Sequence, residues 1–252
     1  MIVGVSGAGG QMGRLVTEAI STAGDLVLGP LYDPAHVGEE LEGAAIGAVA
    51  DAMEDADVVV EFTHPDVVMD NLDTWRQLDV HAVVGTSGFS EERFAEVARR
   101  WEGGPPNCLI VPNFSVGALV AMRLAETAAP HFAAAEVIEL HHDRKADAPS
   151  GTALTTAERI AAAAEQHRQV ESTELVDGAR GADVGGVPVH AVRLPGLVAD
   201  LMVVFGGPGE TLTIRHATTD RSVFLPGVLA AVRGVADLAE PISVGLDAVL
   251  DL

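Results

Sequence analysis

Apolar and polar positions alternate along the first half of the chain with two different periods. Short runs of β-branched and other apolar residues at 2–6 (IVGVS), 26–32 (LVLGPLY), 57–62 (DVVVEF), 80–85 (VHAVVG) and 108–112 (CLIVP) predict strands. The third run is unbroken, the mark of a strand buried on both faces. Between the strands the spacing changes to that of a helix. Met12, Leu15, Val16, Ala19 and Ile20 fall at i, i+3, i+4, i+7 and i+8, with Gly24 as the stop. Thr63 is read as the cap of a second helix running to about Leu78, with Pro65 in its first turn. Ser90 opens a third, with Glu91 and Glu92 at its positive end. Residues 34–56 are acidic and poorly periodic, and are expected to form a loop with one short helix. Gly103-Gly104-Pro105-Pro106 breaks the chain before the strand at 108–112. This repeated β-α pattern implies an α/β protein with a Rossmann-like, doubly wound parallel sheet.

The character changes after residue 114. Residues 115–129 look helical, 136–142 (EVIELHH) form a strand, 150–166 an Ala-rich helix and 167–186 a long polar loop. Strand runs at 187–194, 198–205 and 211–216 follow, then a helix at 222–238. Consecutive strands without intervening helices predict a second, α+β domain carrying a mixed sheet.

Charge narrows the choice of partner. Of 252 residues, 15 are Lys or Arg and 37 are Asp or Glu, a formal charge of −22. Such a surface repels phosphate backbones and anionic membrane faces, so neither nucleic acid nor membrane is an expected partner. The hydrophobic share of 48% with 21% charged residues is that of a globular chain. No apolar run reaches about 18 residues, so no membrane span is expected. The start, Met-Ile-Val-Gly-Val, has no basic leader, and a single cysteine, Cys108, excludes an intrachain disulfide. A cytoplasmic location is expected.

Residues 7–13 (GAGGQMG) lie between the first strand and the first helix. A strand–glycine turn–helix unit suits a dinucleotide: the turn must be tight, the backbone must approach a diphosphate, and the helix amides face it. The spacing is GxxGxxG with Gly9 added, not the strict GxGxxG, and a bare tight turn has the same letters. Asp33, twenty residues after Gly13 at the end of the second strand, supplies the acidic group that takes ribose hydroxyls. It would repel a 2′-phosphate, and Pro34 adds no compensating base, which favours NADH over NADPH. The plainer reading of Asp33 is a solvated strand end. Gly85-Thr86-Ser87 and Pro112-Asn113-Phe114 end two further strands on the same edge, either lining a nicotinamide or serving as ordinary turns.

Residues 139–153 read ELHHDRKADAPSGTA. His141 and His142 are adjacent and on a strand would face opposite ways. Fourteen of the fifteen basic residues are Arg, so Lys145, four after His141, is the chain's one lysine. Ser150, Gly151 and Thr152 open a helix. A lysine and a helix N-terminus suit the carboxylates of a small dianion, and a histidine titrating near neutrality can pass a proton. Each group has a plainer reading: satisfied surface histidines, a solvated charge, an N-cap serine. No Cys cluster or HxxxH pair accompanies the histidines, so no metal site is expected.

These motifs together resemble the dihydrodipicolinate reductase family of bacterial lysine biosynthesis, along the whole chain. VGVSGAGGQMG is similar to its cofactor loop, EFTHPDV, GTSGF and PNFSVGA to interior motifs, ELHHDRKADAPSGTA to its signature segment and VGLDAVLDL to its ending. The resemblance implies NAD(P)H-dependent reduction of 4-hydroxy-tetrahydrodipicolinate in the diaminopimelate route, with NADH or NADPH as cofactor and a small dicarboxylate as substrate. It implies His141 and Lys145 as catalytic residues, with His142, Ser150, Gly151 and Thr152 on the substrate carboxylates. It places the cofactor against Gly7, Ala8, Gly9, Gly10, Gln11, Met12, Asp33, Gly85, Thr86, Ser87, Val111, Pro112, Asn113 and Phe114. It implies residues 1–113 plus 217–252 as the dinucleotide-binding domain and 114–216 as the substrate-binding and oligomerisation domain. A homotetramer built through the second sheet and a hinge that closes the domains, with Arg221 near the return crossing, complete the implication. Two stretches depart from the family: Arg144 stands after Asp143 where another histidine is common, and Asp200, Leu201 and Met202 replace a polar pattern. Other readings of the same residues are a different two-domain dehydrogenase of a dicarboxylate or amino acid, and a nucleotide-sensing protein without catalysis.

Overall fold

The computed structural model describes residues 1–164, 170 and 172–250. The chain forms two units: Met1–Ser115 with the segment from Phe224 onward, and Val116–Val223. The crossings thus lie a few residues beyond the sequence boundaries at 113 and 217.

The first unit opens with β1 (Ile2–Ser6), α1 (Gln11–Thr22) and β2 (Val27–Tyr32). The next stretch departs from the expected loop: it holds β3 (Glu40–Leu41) and β4 (Ala44–Gly47) before a 3₁₀ turn at Ala50–Asp55. β4 runs parallel to β2 through Leu31 and Ile46, and β3 turns back antiparallel on β4. Only Ile46 of these six strand residues is buried, which is why no apolar period betrays them. Then come β5 (Val58–Glu61), α2 (Val68–Gln77), β6 (His81–Val84), α3 (Glu91–Arg100) and β7 (Cys108–Ile110). All four residues of β5 are buried, as its unbroken run requires.

One helix start is corrected. α2 begins at Val68 and is not capped by Thr63, whose hydroxyl goes instead to the Glu61 carboxylate. A buried carboxylate competes better for that hydroxyl than a helix amide does. Ser90 caps α3 as expected, accepting the Arg93 N–H at 3.3 Å. Trp75, Trp101, Val59, Leu72, Val97 and Ile110 form one buried cluster beside the sheet. Burial within it pushes the Cys108 thiol above its ordinary range, leaving a small inert hydrophobe.

The second unit contains α4 (Val116–Ala128), β8 (Ala134–His141), α5 (Gly151–Ala163), β9 (Ala182–Val184), β10 (Val187–Arg193), β11 (Ala199–Gly207) and β12 (Glu210–Thr218). Its sheet order is β12-β11-β8-β10-β9. β8 and β10 are parallel, joined through α5, and every other pair is antiparallel. The sheet is therefore mixed. β9 corrects the loop expected over 167–186. It forms a hairpin with β10 across Gly185 and Gly186, whose φ of +61° and +88° suit the two-residue turn matched to strand twist. Residues 165–169 and 171, where that loop and the end of the Ala-rich helix were expected, lie outside the described residues, as do the last two of the VGLDAVLDL ending. Alternation along the strands turns Val137, Leu201, Val203, Phe205, Val187 and Val189 inward. α5 packs on β8 and β10, and α4 on α5 and β12. Ile138, Leu140, Met202 and Val204 point to the opposite face, where they are only half-buried.

The chain re-enters the first unit as a 3₁₀ turn (Arg221–Phe224), α6 (Leu225–Gly234), another 3₁₀ turn (Val235–Asp237) and β13 (Ile242–Val244). The helix expected over 222–238 is thus three pieces. β13, unread in the sequence, adds in parallel to β7. The completed order is β13-β7-β6-β5-β1-β2-β4-β3, parallel except at β3, the doubly wound arrangement. Among the described residues no helix is long and apolar enough to cross a membrane.

Candidate active site

In the first sheet the strand order reverses between β1 and β5, the point at which such sheets bind ligands at their carboxyl edge. The glycine turn sits there. Gly7 has φ +78°, and a Cβ on it would lie 2.2 Å from the Phe62 carbonyl oxygen. A Cβ on Gly13 would lie 2.1 Å from the Gly7 carbonyl oxygen, so α1 closes on the turn only with glycine there. α1 has Gly10 at its N-cap, no side-chain cap and no acidic residue in its first turn. Its leading amides are therefore not claimed by a side chain, and the turn fits a diphosphate. Ala8 is buried beneath the turn, while Gln11 is exposed and Met12 half-buried at the helix start.

Asp33 follows β2 and is tied to the same turn. Its Oδ2 accepts the Gly9 N–H at 3.1 Å and meets His36 Nδ1 at 3.0 Å, and its Oδ1 accepts the Ala35 N–H at 3.0 Å. His36 lies against Gly9, where a Cβ would strike its ring. Sequence reasoning missed His36 because it falls in a stretch with no period. Gly85, Thr86 and Ser87 follow β6. Thr86 Oγ1 accepts the Thr63 N–H at 2.9 Å, and Gly85 leaves room for the rings of Phe62 and Phe114, whose centroids are 5.5 Å apart. Val111, Pro112, Asn113 and Phe114 follow β7, with Asn113 Oδ1 accepting the Ser115 N–H at 2.9 Å. Under this edge lies Glu61, 0% exposed. It accepts Trp75 Nε1 at 2.9 Å, Asn71 Nδ2 at 3.0 Å and the Thr63 hydroxyl. Burial raises its carboxyl above the usual range against the pull of these donors. All the residues expected at the cofactor lie on or just behind this one edge.

The second unit holds the histidines. His141 ends β8, and its Nδ1 contacts Glu139 Oε2. Two residues apart on a strand, the two side chains share a face. Arg193 joins them from β10, where it pairs in register with His141. Its Nη1 and Nη2 reach Glu139 at 2.9 and 2.7 Å, the bidentate geometry of guanidinium on carboxylate. The Ser150 N–H donates to Glu139 Oε1 at 3.1 Å, and Ser150 Oγ caps α5 by accepting the Ala153 N–H at 3.3 Å. Gly151 and Thr152 form the first turn behind it. His142 lies just past the end of β8, and its buried Nδ1 has no hydrogen-bond partner among the described residues. The Lys145 N–H bonds back to the His142 carbonyl at 3.2 Å, and the Lys145 ammonium holds both oxygens of Asp147, at 2.7 and 2.9 Å. Among the described residues no group of three or more His, Cys, Asp or Glu could hold a metal ion.

Burial alone would raise Glu139, but Arg193, His141 and the Ser150 amide hold its carboxyl below the usual range. Burial lowers His141 despite the opposing pull of Glu139. A carboxyl lowered by folding contributes stability in full above its unfolded value of about 4.3 and loses it as pH falls through the folded value. The gap in urea midpoint between wild type and Glu139→Gln is therefore expected to be full at pH 6 and to narrow as the pH is taken below the unfolded value. A gap that does not narrow on acidification would contradict this assignment. Sequence reasoning missed Glu139 and Arg193. The first was findable as the acidic residue at i−2 from His141 on one strand face. The second carries no local signal, because it arrives through the register of β10.

Two family models match the chain: "Dihydrodipicolinate reductase, N-terminus" over residues 1–114 and "Dihydrodipicolinate reductase, C-terminus" over 117–250. The 4-hydroxy-tetrahydrodipicolinate reductase of Mycolicibacterium gilvum is 48% identical over 257 residues, covering 100% of both chains. A dipicolinate-bound dihydrodipicolinate reductase from Paenisporosarcina sp. TG-14 superposes with a TM-score of 0.86 at 32% identity, covering 99% of each chain. A scyllo-inositol dehydrogenase from Lactobacillus casei, with NAD(H) and scyllo-inositol bound, superposes at 0.62 with 10% identity over 98% of this chain and 92% of its own, a likeness of fold alone.

Proposed function

The chain belongs to the dihydrodipicolinate reductase family and carries out the NAD(P)H-dependent reduction of 4-hydroxy-tetrahydrodipicolinate in lysine biosynthesis, and we propose that His141 is the proton donor of that reaction. The observation that carries this reading is the His141–Glu139 contact, on a strand end that leads directly to Lys145 and the Ser150 helix start.

The dinucleotide, bound at the glycine turn, supplies the hydride. The C4 hydroxyl of the substrate leaves as water together with a hydrogen from C3, giving a C3=C4 bond conjugated to the ring C=N, and hydride adds at C4. The electron pair displaced by that addition gives an enamine, and C3 takes a proton from His141. Neutral His141 then regains its proton from solvent. Lys145, His142 and the helix opening at Ser150, Gly151 and Thr152 take the two carboxylates, in keeping with the dipicolinate held by the Paenisporosarcina relative. Hydride and acceptor must approach to about 3–3.5 Å, so placing the ring is most of the work.

Asp33 favours NADH, since a 2′-phosphate would meet its carboxylate beside Gly9. The half-buried apolar strip of Ile138, Leu140, Met202 and Val204 supports assembly through the second sheet, as a homotetramer. A reduced, buried Cys108 suits the cytoplasm. The test is an assay coupled to the synthase that makes the substrate, run with NADH and NADPH in parallel. Turnover with both and a higher kcat/KM for NADH is the expected result. NADPH preferred tenfold would refute the role given to Asp33, and no oxidation of either would refute the function.

A further inference from the structure

Glu139 is a carboxylate 1% exposed in a unit whose chemistry is a proton transfer. Such a group stays ionised only when donors surround it. Here they do: both Arg193 nitrogens, the Ser150 amide and the His141 ring. Arg193 is itself anchored, through Nη2 to the Asp147 carbonyl at 2.7 Å and Nη1 to the Val192 carbonyl at 2.8 Å. An ionised carboxylate has no proton to give, so in its contact with His141 the imidazole Nδ1 must be the donor. Nε2 is then the ring nitrogen left to face a ligand. The charged groups acting on His141 are Glu139 on its own strand, Arg193 on β10, and Lys145 from the following turn; Ala199, its register partner on β11, brings none.

We propose that Glu139, clamped by Arg193, is the positioning residue that keeps Nδ1 of His141 protonated and aims Nε2–H at the substrate carbon, a role that rests on His141 being the proton donor. When Nε2 releases its proton, the ring is left as the Nδ1–H tautomer already bonded to Glu139, so transfer needs no rearrangement. As an anion, Glu139 also favours the imidazolium that donates.

The test is Glu139→Gln, read three ways. Two-bond ¹H–¹⁵N spectra of the His141 ring, assigned by its loss in His141→Gln, report the tautomer without turnover. Wild type is expected as Nδ1–H when neutral, and Glu139→Gln as a mixture or as Nε2–H. The basic limb of the kcat/KM profile should move to lower pH, and kcat at neutral pH should fall about 10- to 100-fold with the KM for NADH unchanged. An unchanged tautomer, or an unchanged pH profile with kcat within twofold, would overturn the proposal. If Glu139→Gln does not fold by circular dichroism, Arg193→Lys is read identically, with a mixed tautomer and a shifted profile supporting the role and unchanged ones refuting it. A tautomer that depends on Glu139 while His141→Gln keeps wild-type kcat would instead leave the tautomer lock standing and refute the proton-donor reading beneath it.

Discussion

Replacing His141 by Gln is expected to lower kcat by about two to four orders of magnitude, the usual worth of a positioned acid or base. The KM for the substrate should change little and the Kd for NADH not at all. Gln fills the place of the imidazole and can still hydrogen-bond Glu139, so the strand end and its contacts with Arg193 and Ser150 remain. What it cannot do is carry a proton at neutral pH. The NAD(P)-binding domain is the first unit, whereas His141 belongs to the second. Steady-state oxidation at 340 nm and calorimetric titration of NADH separate the two quantities. Near-normal kcat in this variant would end the assignment.

Lys145→Ala is expected to raise the substrate KM and lower kcat/KM by about 10- to 100-fold, since a hydrogen bond to a charged group is worth roughly 1.5–3 kcal/mol. The chain has no second lysine to substitute for it. Arg144 is adjacent in sequence, but its bulkier planar guanidinium does not replace an ammonium point charge. The fold should tolerate the change, because the lysine's partner Asp147 is exposed and the pair contributes little to stability. Initial-rate kinetics across substrate concentration give the answer, and an unchanged kcat/KM would remove Lys145 from the site.

The architecture was legible where burial is complete. Parallel strands covered on both faces give unbroken runs such as VVVE at β5 and CLI at β7. Strands with little buried surface were not legible: β3 and β4 bury one residue between them, and β13 none. The start of α2 was misread because Thr63 is a good cap by type, and only the three-dimensional position of Glu61 shows where its hydroxyl goes. In the candidate site the same division holds. The segment from Glu139 to Thr152 is continuous, so its histidines, lysine and helix start could be seen together. Arg193 lies 52 positions beyond His141 in the chain and beside it in the sheet, a pairing that only β8–β10 register creates.

The grip of Lys145 on Asp147 changes what arrival of a diacid amounts to. The ammonium is not a bare cation awaiting its anion; it already has a counter-ion two residues away. A ligand carboxylate that takes it evicts that internal occupant to water, so the electrostatic gain is the difference between two pairings, not the whole of one. In a chain carrying −22 overall, the displaced Asp147 stays tethered two residues away, so a bound diacid adds its own charges to the local total instead of replacing one.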